Sequence, residues 1–205
     1  MAAEPADHRR ATAARNVQAI LDAAEALLDE GASASIAAVA SRAGVSRVTV
    51  YAHFATREAI LEAVIERAVA GAATAFDAAT SGAASAPEAL ERAIRASWTE
   101  LSRNSGIAEA AAAQLSPEVL RRTHEAGHAH AQRMFEAGIE RGEFRDDVPS
   151  AWLVSVYHAL LHAAGDDVRA GRLDTDTALH ALTTTMRAAF APPGGTEDRG
   201  AAGQS

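Results

Sequence analysis

Apolar residues in this chain recur at spacings of three and four from Val17 to Phe190, and no stretch alternates convincingly with period two. Spacing near 3.6 gathers side chains on one face of a helix, whereas a half-buried strand needs strict alternation. The chain is therefore expected to be all-α. The first helix is expected over about residues 12–30, with Val17, Ile20, Leu21, Ala24, Leu27 and Leu28 on one stripe and Gly31 as its stop. Two short helices follow, then a longer one that starts at an N-cap at Thr56, carries Ile60, Leu61, Val64 and Ile65, and fades near Ala79. Thr80, Ser81, Gly82 and Ser85 form a joint. Pro87 suits the first turn of a helix running through Leu90, Ile94, Trp98 and Leu101 to about Arg103. A short helix near residues 107–114 comes next, and a longer one begins at Ser116-Pro117-Glu118 and breaks over residues 142–149. Two final helices are expected over about residues 150–170 and 175–190. The tail at residues 192–205 is Gly, Pro and polar residues, a composition expected to be disordered.

Length and composition bound the rest. A chain of 205 residues that is 48% hydrophobic can bury a core. It has no apolar run near the roughly 18 to 20 residues that span a bilayer, and a start with Glu4 and Asp7 lacks the order of a signal peptide, so no membrane partner and a cytoplasmic location are expected. With no cysteine there is no disulfide framework, no Cys-ligated zinc and no thiol nucleophile.

A formal net charge of −8 seems to oppose nucleic acid, whose affinity comes largely from neutralised phosphates. The distribution matters more than the sum. Between Gly31 and Arg57 there is no Asp or Glu, while Arg42, Arg47, His53 and Arg57 lie inside that window and His8, Arg9, Arg10 and Arg15 lie upstream.

The acid-free window contains SIAAVASRAGVSRVTVYAHF, residues 35–54. Ser35 can cap a helix whose Ile36, Val39, Ala40 and Ala43 share a face, and Gly44 can supply the left-handed residue that ends it. Ser46 can cap a second short helix, with Val45 and Val50 at the spacing of a hydrophobic staple. Two helices joined by so tight a turn form a helix-turn-helix. If Val45, Val50 and Phe54 face inward, Arg47, Val48, Thr49, Tyr51 and Ala52 face a DNA major groove. Arg47 has the reach for guanine O6 and N7, Val48 and Ala52 can press on thymine methyls, and Thr49 and Tyr51 carry hydroxyls for bases or phosphates. His53 and Arg57 complete the basic set, and the DNA-binding residues expected are thus Ser35, Ser46, Arg47, Val48, Thr49, Tyr51, Ala52, His53 and Arg57.

VSRVTVYAHFATREAI, residues 45–60, resembles the signature of the tetracycline-repressor (TetR) family. The resemblance covers about residues 16–64; beyond it, only the helix layout and the GEFRDD turn at residues 142–147 are similar. It differs from the common pattern at Val48, where many members carry Gly, and at Ala52, where many carry a larger residue. The resemblance implies that Tyr51 and Arg57 hold phosphates. It also implies an N-terminal arm and three-helix DNA-binding domain over residues 1–57, and a helical domain over residues 58–191 that dimerises and binds a small effector. A homodimer, a palindromic operator, release by the effector and no cofactor follow as expectations, and so does the absence of enzyme activity. Val154, Leu161, Leu179, Leu182 and Met186 are the expected dimer contacts, and Trp98, Leu101, Met134, Phe135, Trp152, Tyr157 and His158 the expected effector pocket.

His124, Glu125 and His128 spell H-E-x-x-H, which on a helix puts two imidazoles on one face for zinc with the Glu as general base. A zinc hydrolase of that kind normally rests on a sheet-bearing domain, which this sequence lacks. His158 and His162 repeat the spacing of four, so a metal-responsive regulator using His124, His128, His158 and His162 is the alternative to an organic effector. Histidines that line a pocket, sit at an interface or face solvent need no metal.

Overall fold

The computed structural model describes residues 4–193; within them, the side chains of residues 4–7, 9, 120, 121, 123, 124 and 126 lie outside the description. Among the described residues the chain forms nine helices and no strand: α1 (Glu4–Asp29), α2 (Ile36–Ala43), α3 (Arg47–His53), α4 (Arg57–Thr80), α5 (Ala86–Arg103), α6 (Ser105–Gln114), α7 (Pro117–Glu140), α8 (Ser150–Arg169) and α9 (Thr175–Phe190). The all-α reading holds, and most helix ends fall within two residues of expectation. The exception is α1, which begins at Glu4 rather than near Thr12. Its apolar stripe starts only at Val17, and the described side chains before it, His8 and those of residues 10–16, are exposed or half-buried, which periodicity does not reveal. The tail expected to be disordered lies outside the described residues from residue 194 onward.

The helices gather into two compact units, one of residues up to Gly71 with Arg103–Ala126, the other of Ala72–Ser102 with the chain from Gly127. Helices α4 and α7 each contribute one end to either unit. The sequence expectation put the end of the DNA-binding domain at residue 57; the first compact unit extends past it to Gly71 and takes in α6 as well.

In the first unit, Ile20, Leu21, Ala24 and Leu28 of α1 pack with Val39 and Ala40 of α2, Val50 of α3, Ile60, Leu61, Val64 and Ile65 of α4, and Ile107 and Ala111 of α6. Gly106 lets α6 come close to α1: a Cβ there would lie 2.6 Å from the Leu28 carbonyl oxygen. Arg67 ties α4 to α1, reaching Asp22 at 2.7 Å and Glu25 at 2.7 Å.

The second unit is built around aromatic side chains. Phe135 sits 4.8 Å from Phe190, 5.4 Å from Phe144 and 6.2 Å from Tyr157 between ring centroids, and Leu90, Ile94, Trp98, Leu153, Leu161, Leu182 and Met186 fill the surrounding space. Tyr157 donates its hydroxyl to Ser97 Oγ at 2.8 Å, and burial pushes its phenol far above the ordinary range. The GEFRDD turn pins the end of α9: the Arg145 backbone N–H donates to the Phe190 carbonyl at 3.0 Å, and its guanidinium donates to the Ala189 carbonyl at 3.1 Å.

Candidate nucleic-acid interface

The geometry of α2 and α3 follows from four small residues. Ser35 is extended and accepts the Ala38 N–H at 3.2 Å, which satisfies one of the donors a helix N-terminus leaves open. Gly44 takes φ 67°, a left-handed conformation that a β-carbon disfavours, and the Val45 N–H then closes back on the Ala40 carbonyl at 3.0 Å. Ser46 accepts the Thr49 N–H at 3.0 Å, and its Oγ lies 2.9 Å from Thr49 Oγ1. Val50 is fully buried, with Val45 and Phe54 packed against the same core.

With Val50 anchored inward, α3 turns its other side to solvent. Arg47 and Ala52 are exposed, Val48 is 77% exposed and Tyr51 56% exposed. Thr49 and His53 are half-buried. Arg57, on the first turn of α4, is also half-buried and borders a small cavity with Ala24, Leu28 and Gln114. No ion pair occupies Arg47, His53 or Arg57 among the described residues. Of the nine residues expected at the interface, Ser35 and Ser46 are helix caps, Arg47, Val48, Thr49, Tyr51, Ala52 and His53 lie on α3, and Arg57 lies on the first turn of α4.

The structure removes one cation from the basic window. Arg42 forms two hydrogen bonds to the Glu30 carboxylate, each 2.7 Å. This pairing holds the Glu30 carboxyl below its ordinary range and raises the Arg42 guanidinium above its own. Glu30 lies one residue outside the acid-free window, so a count along the sequence missed the partner. Upstream, His8 and Arg10 are exposed, and Arg15 donates to Thr12 Oγ1 at 2.8 Å; the side chain of Arg9 lies outside the description.

In the second unit, Trp98, Phe135 and Tyr157 are buried together, with Leu101 and Met134 against them. Trp152 does not join them. It is 59% exposed, because the inward stripe of α8 is Leu153, Val154, Tyr157 and Leu161, and position 152 falls on the other side. His158 meets Tyr157 edge-on at 5.2 Å and lies 4.4 Å from the His128 ring. The Trp98 indole N–H is buried without a hydrogen-bond partner, a feature no spacing in the sequence announces. Four of the expected dimer contacts, Val154, Leu161, Leu182 and Met186, are buried within the unit itself. They are among the most apolar residues of α8 and α9, and the most apolar face of an amphipathic helix goes to its own core first.

Among the described residues, no group of three or more His, Asp or Glu is placed to hold a metal ion. The His124 side chain, half of the H-E-x-x-H pattern, lies outside the description; Glu125 is exposed. No helix among the described residues is long and apolar enough to cross a membrane.

Comparison with known proteins shows what the N-terminal segment and the fold are similar to. Residues 20–64 match the model for bacterial regulatory proteins of the tetR family. No curated protein matches the chain. Among solved structures, a protein of unknown function from Rhodococcus sp. RHA1 aligns with a TM-score of 0.71 at 21% identity, over 86% of this chain and 95% of that one. A putative tetR family transcription regulator from Shewanella sp. PV-4 aligns with a TM-score of 0.67 at 22% identity, over 86% and 98%. The TetR-like transcriptional regulator LfrR from Mycobacterium smegmatis, solved in complex with proflavine, aligns with a TM-score of 0.62 at 21% identity, over 84% and 94%.

Proposed function

We propose that this chain, whose residues 20–64 match the tetR family model, is a homodimeric repressor released from a palindromic operator by a small organic molecule. The observation that carries the proposal is the solvent-facing side of α3, where Arg47, Val48, Tyr51 and Ala52 project from a helix capped by Ser46 and anchored by Val50. Arg47 reaches guanine, while Tyr51 and Arg57 hold phosphates on either side. Two such helices about 34 to 36 Å apart meet successive major grooves, so the two-fold symmetry of the operator mirrors that of the protein.

The dimer uses the outward faces of α8 and α9. Trp152, Ala159 and Ala163 on α8, and Ala181, Thr184 and Ala188 on α9, are exposed, and side chains this small let helices approach closely around one aromatic anchor. The effector site lies in the second unit at Trp98, Phe135 and Tyr157, with Leu101, Met134 and His158 beside them. The unsatisfied Trp98 N–H supports a ligand there, since a buried donor without a partner costs about 1 to 3 kcal/mol and native structures hold few of them. An effector that prefers the conformer with the wrong spacing of recognition helices lowers operator affinity by its differential affinity for the two states.

The test is operator binding by the full chain, with DNA from upstream of its own gene, for wild type and a Tyr51→Ala, Arg57→Ala double variant. Each dimer would lose four phosphate contacts, of which only the two made by the charged Arg57 side chains release counterions, so affinity should fall and the slope of log affinity against log salt should fall by about 1.8. A variant that stays helical by circular dichroism and binds with the wild-type slope would sink the proposal.

A further inference from the structure

The exposed side of α3 offers DNA an unusual mixture of groups. Positions 48 and 52 are one helical turn apart, so Val48 and Ala52 form an apolar strip, with Arg47 and Tyr51 as the adjacent strip. Thr49 does not add a free hydroxyl, because its Oγ1 is engaged with Ser46 Oγ at 2.9 Å. What remains is one guanidinium, one phenol and a row of methyl groups. Val48 does nothing for the isolated protein that alanine would not do better. It is 77% exposed, and a β-branched residue lowers the helix propensity of a seven-residue helix.

We infer that the operator is read in part through thymine methyl groups, with Val48 and Ala52 packed on the C5-methyl of a thymine beside the guanine taken by Arg47. The inference rests on the proposed DNA-binding role and specifies its chemistry. Of the groups on the major-groove edges of the bases, only the thymine methyl is apolar. The occupant of this strip is duplex DNA because Arg47 stands next to it, His53 closes the same helix and Arg57 opens the next one, all three free of ion pairs among the described residues, and no acidic residue lies between Gly31 and Arg57. An apolar partner protein has no use for such a frame.

The full-length protein is used to select binding sites from random-sequence duplex DNA. In the selected site each thymine is then replaced by deoxyuridine, which removes the methyl and leaves base pairing and O4 in place. One thymine per half-site should respond, with affinity falling about fourfold for one methyl and about fifteenfold when both half-sites are changed. In Val48→Ala, whose fold is checked by circular dichroism, the penalty for the same replacement should shrink toward none. A selected half-site without thymine, indifference to every deoxyuridine, or an undiminished penalty in Val48→Ala would overturn the inference and leave the DNA-binding role standing. A protein that selects no sequence would remove that role itself, and this inference with it.

Discussion

Ser46 caps α3 and is exposed, and in the proposed complex it faces DNA, so two substitutions there separate folding from binding. Ser46→Ala removes the acceptor of the Thr49 N–H and the partner of the Thr49 hydroxyl. Losing an N-cap costs about 1 kcal/mol, within a range of roughly 0.5 to 2. For a chain of this length that lowers the melting temperature by about 2 to 4 °C. Ser46→Asp restores an acceptor of equal capping quality, so its melting temperature should return to the wild-type value. The same carboxylate then faces the DNA backbone. At about 6 Å from one phosphate in water, the repulsion is about 0.7 kcal/mol, which is roughly threefold per half-site and tenfold for a two-fold operator. The loss should shrink as salt rises, because the Debye length falls. Thermal melts by circular dichroism and fluorescence anisotropy on labelled operator at two salt concentrations read both effects. Ser46→Asp melting as low as Ser46→Ala would refute the capping argument. Ser46→Asp binding as tightly as wild type at low salt would refute the orientation of α3.

Other consequences follow from packing and charge. Gly106→Ala forces a Cβ against the Leu28 carbonyl at 2.6 Å and should destabilise the protein by about 1 to 3 kcal/mol in urea titrations; an unchanged midpoint would show that α6 shifts freely. Tyr157→Phe gives up the hydrogen bond to Ser97 and should cost about 0.5 to 1.5 kcal/mol, measured the same way. The carboxyl of Asp174 is lowered first by the Thr177 backbone N–H and then by its hydroxyl, and that of Glu143 first by the Ala86 N–H. Groups lowered in the folded state stabilise it above their unfolded pKa and lose that contribution as pH falls through the folded value. Stability should therefore drop below about pH 4, and Asp174→Asn, which still caps α9, should flatten part of that dependence in urea midpoints taken at pH 3 and pH 6.

How much of this was legible in the sequence depends on the range of the interaction involved. Caps, staples and glycine stops act within four or five residues, so Ser35, Gly44, Ser46 and Val50 announce α2 and α3 by spacing alone. The bond between Arg42 and Glu30 spans twelve residues and needs the packing of α1 on α2, so the basic window reads as more positive than it is. On α8 the inward stripe is readable, and it leaves Trp152 on the outward side, where an aromatic side chain alone does not make a pocket. The burial of the expected dimer contacts has a related reason. Hydrophobicity identifies residues that leave water, but not whether they do so inside the protomer or against a second copy. The start of α1 is invisible in the sequence because no apolar stripe precedes Val17.

The pairing of Arg42 also bears on how an acidic regulator can bind DNA at all. A chain with a net charge of −8 is repelled by DNA at long range, and the approach is tolerable only where acids are absent from the contact surface. With Arg42 paired to Glu30 and Arg67 to Asp22 and Glu25, the cations on α3 and at the start of α4 without an ion pair among the described residues are Arg47, His53 and Arg57. Sequence-independent affinity, which comes from phosphate neutralisation, is then held low. A regulator built this way must gain its operator affinity from contacts that depend on sequence. An exposed guanidinium for guanine and an exposed methyl strip for thymine are contacts of that kind. In the proposed complex, weak electrostatics and an apolar reading face are two aspects of one solution, in which general attraction to DNA is given up and discrimination between sites is kept.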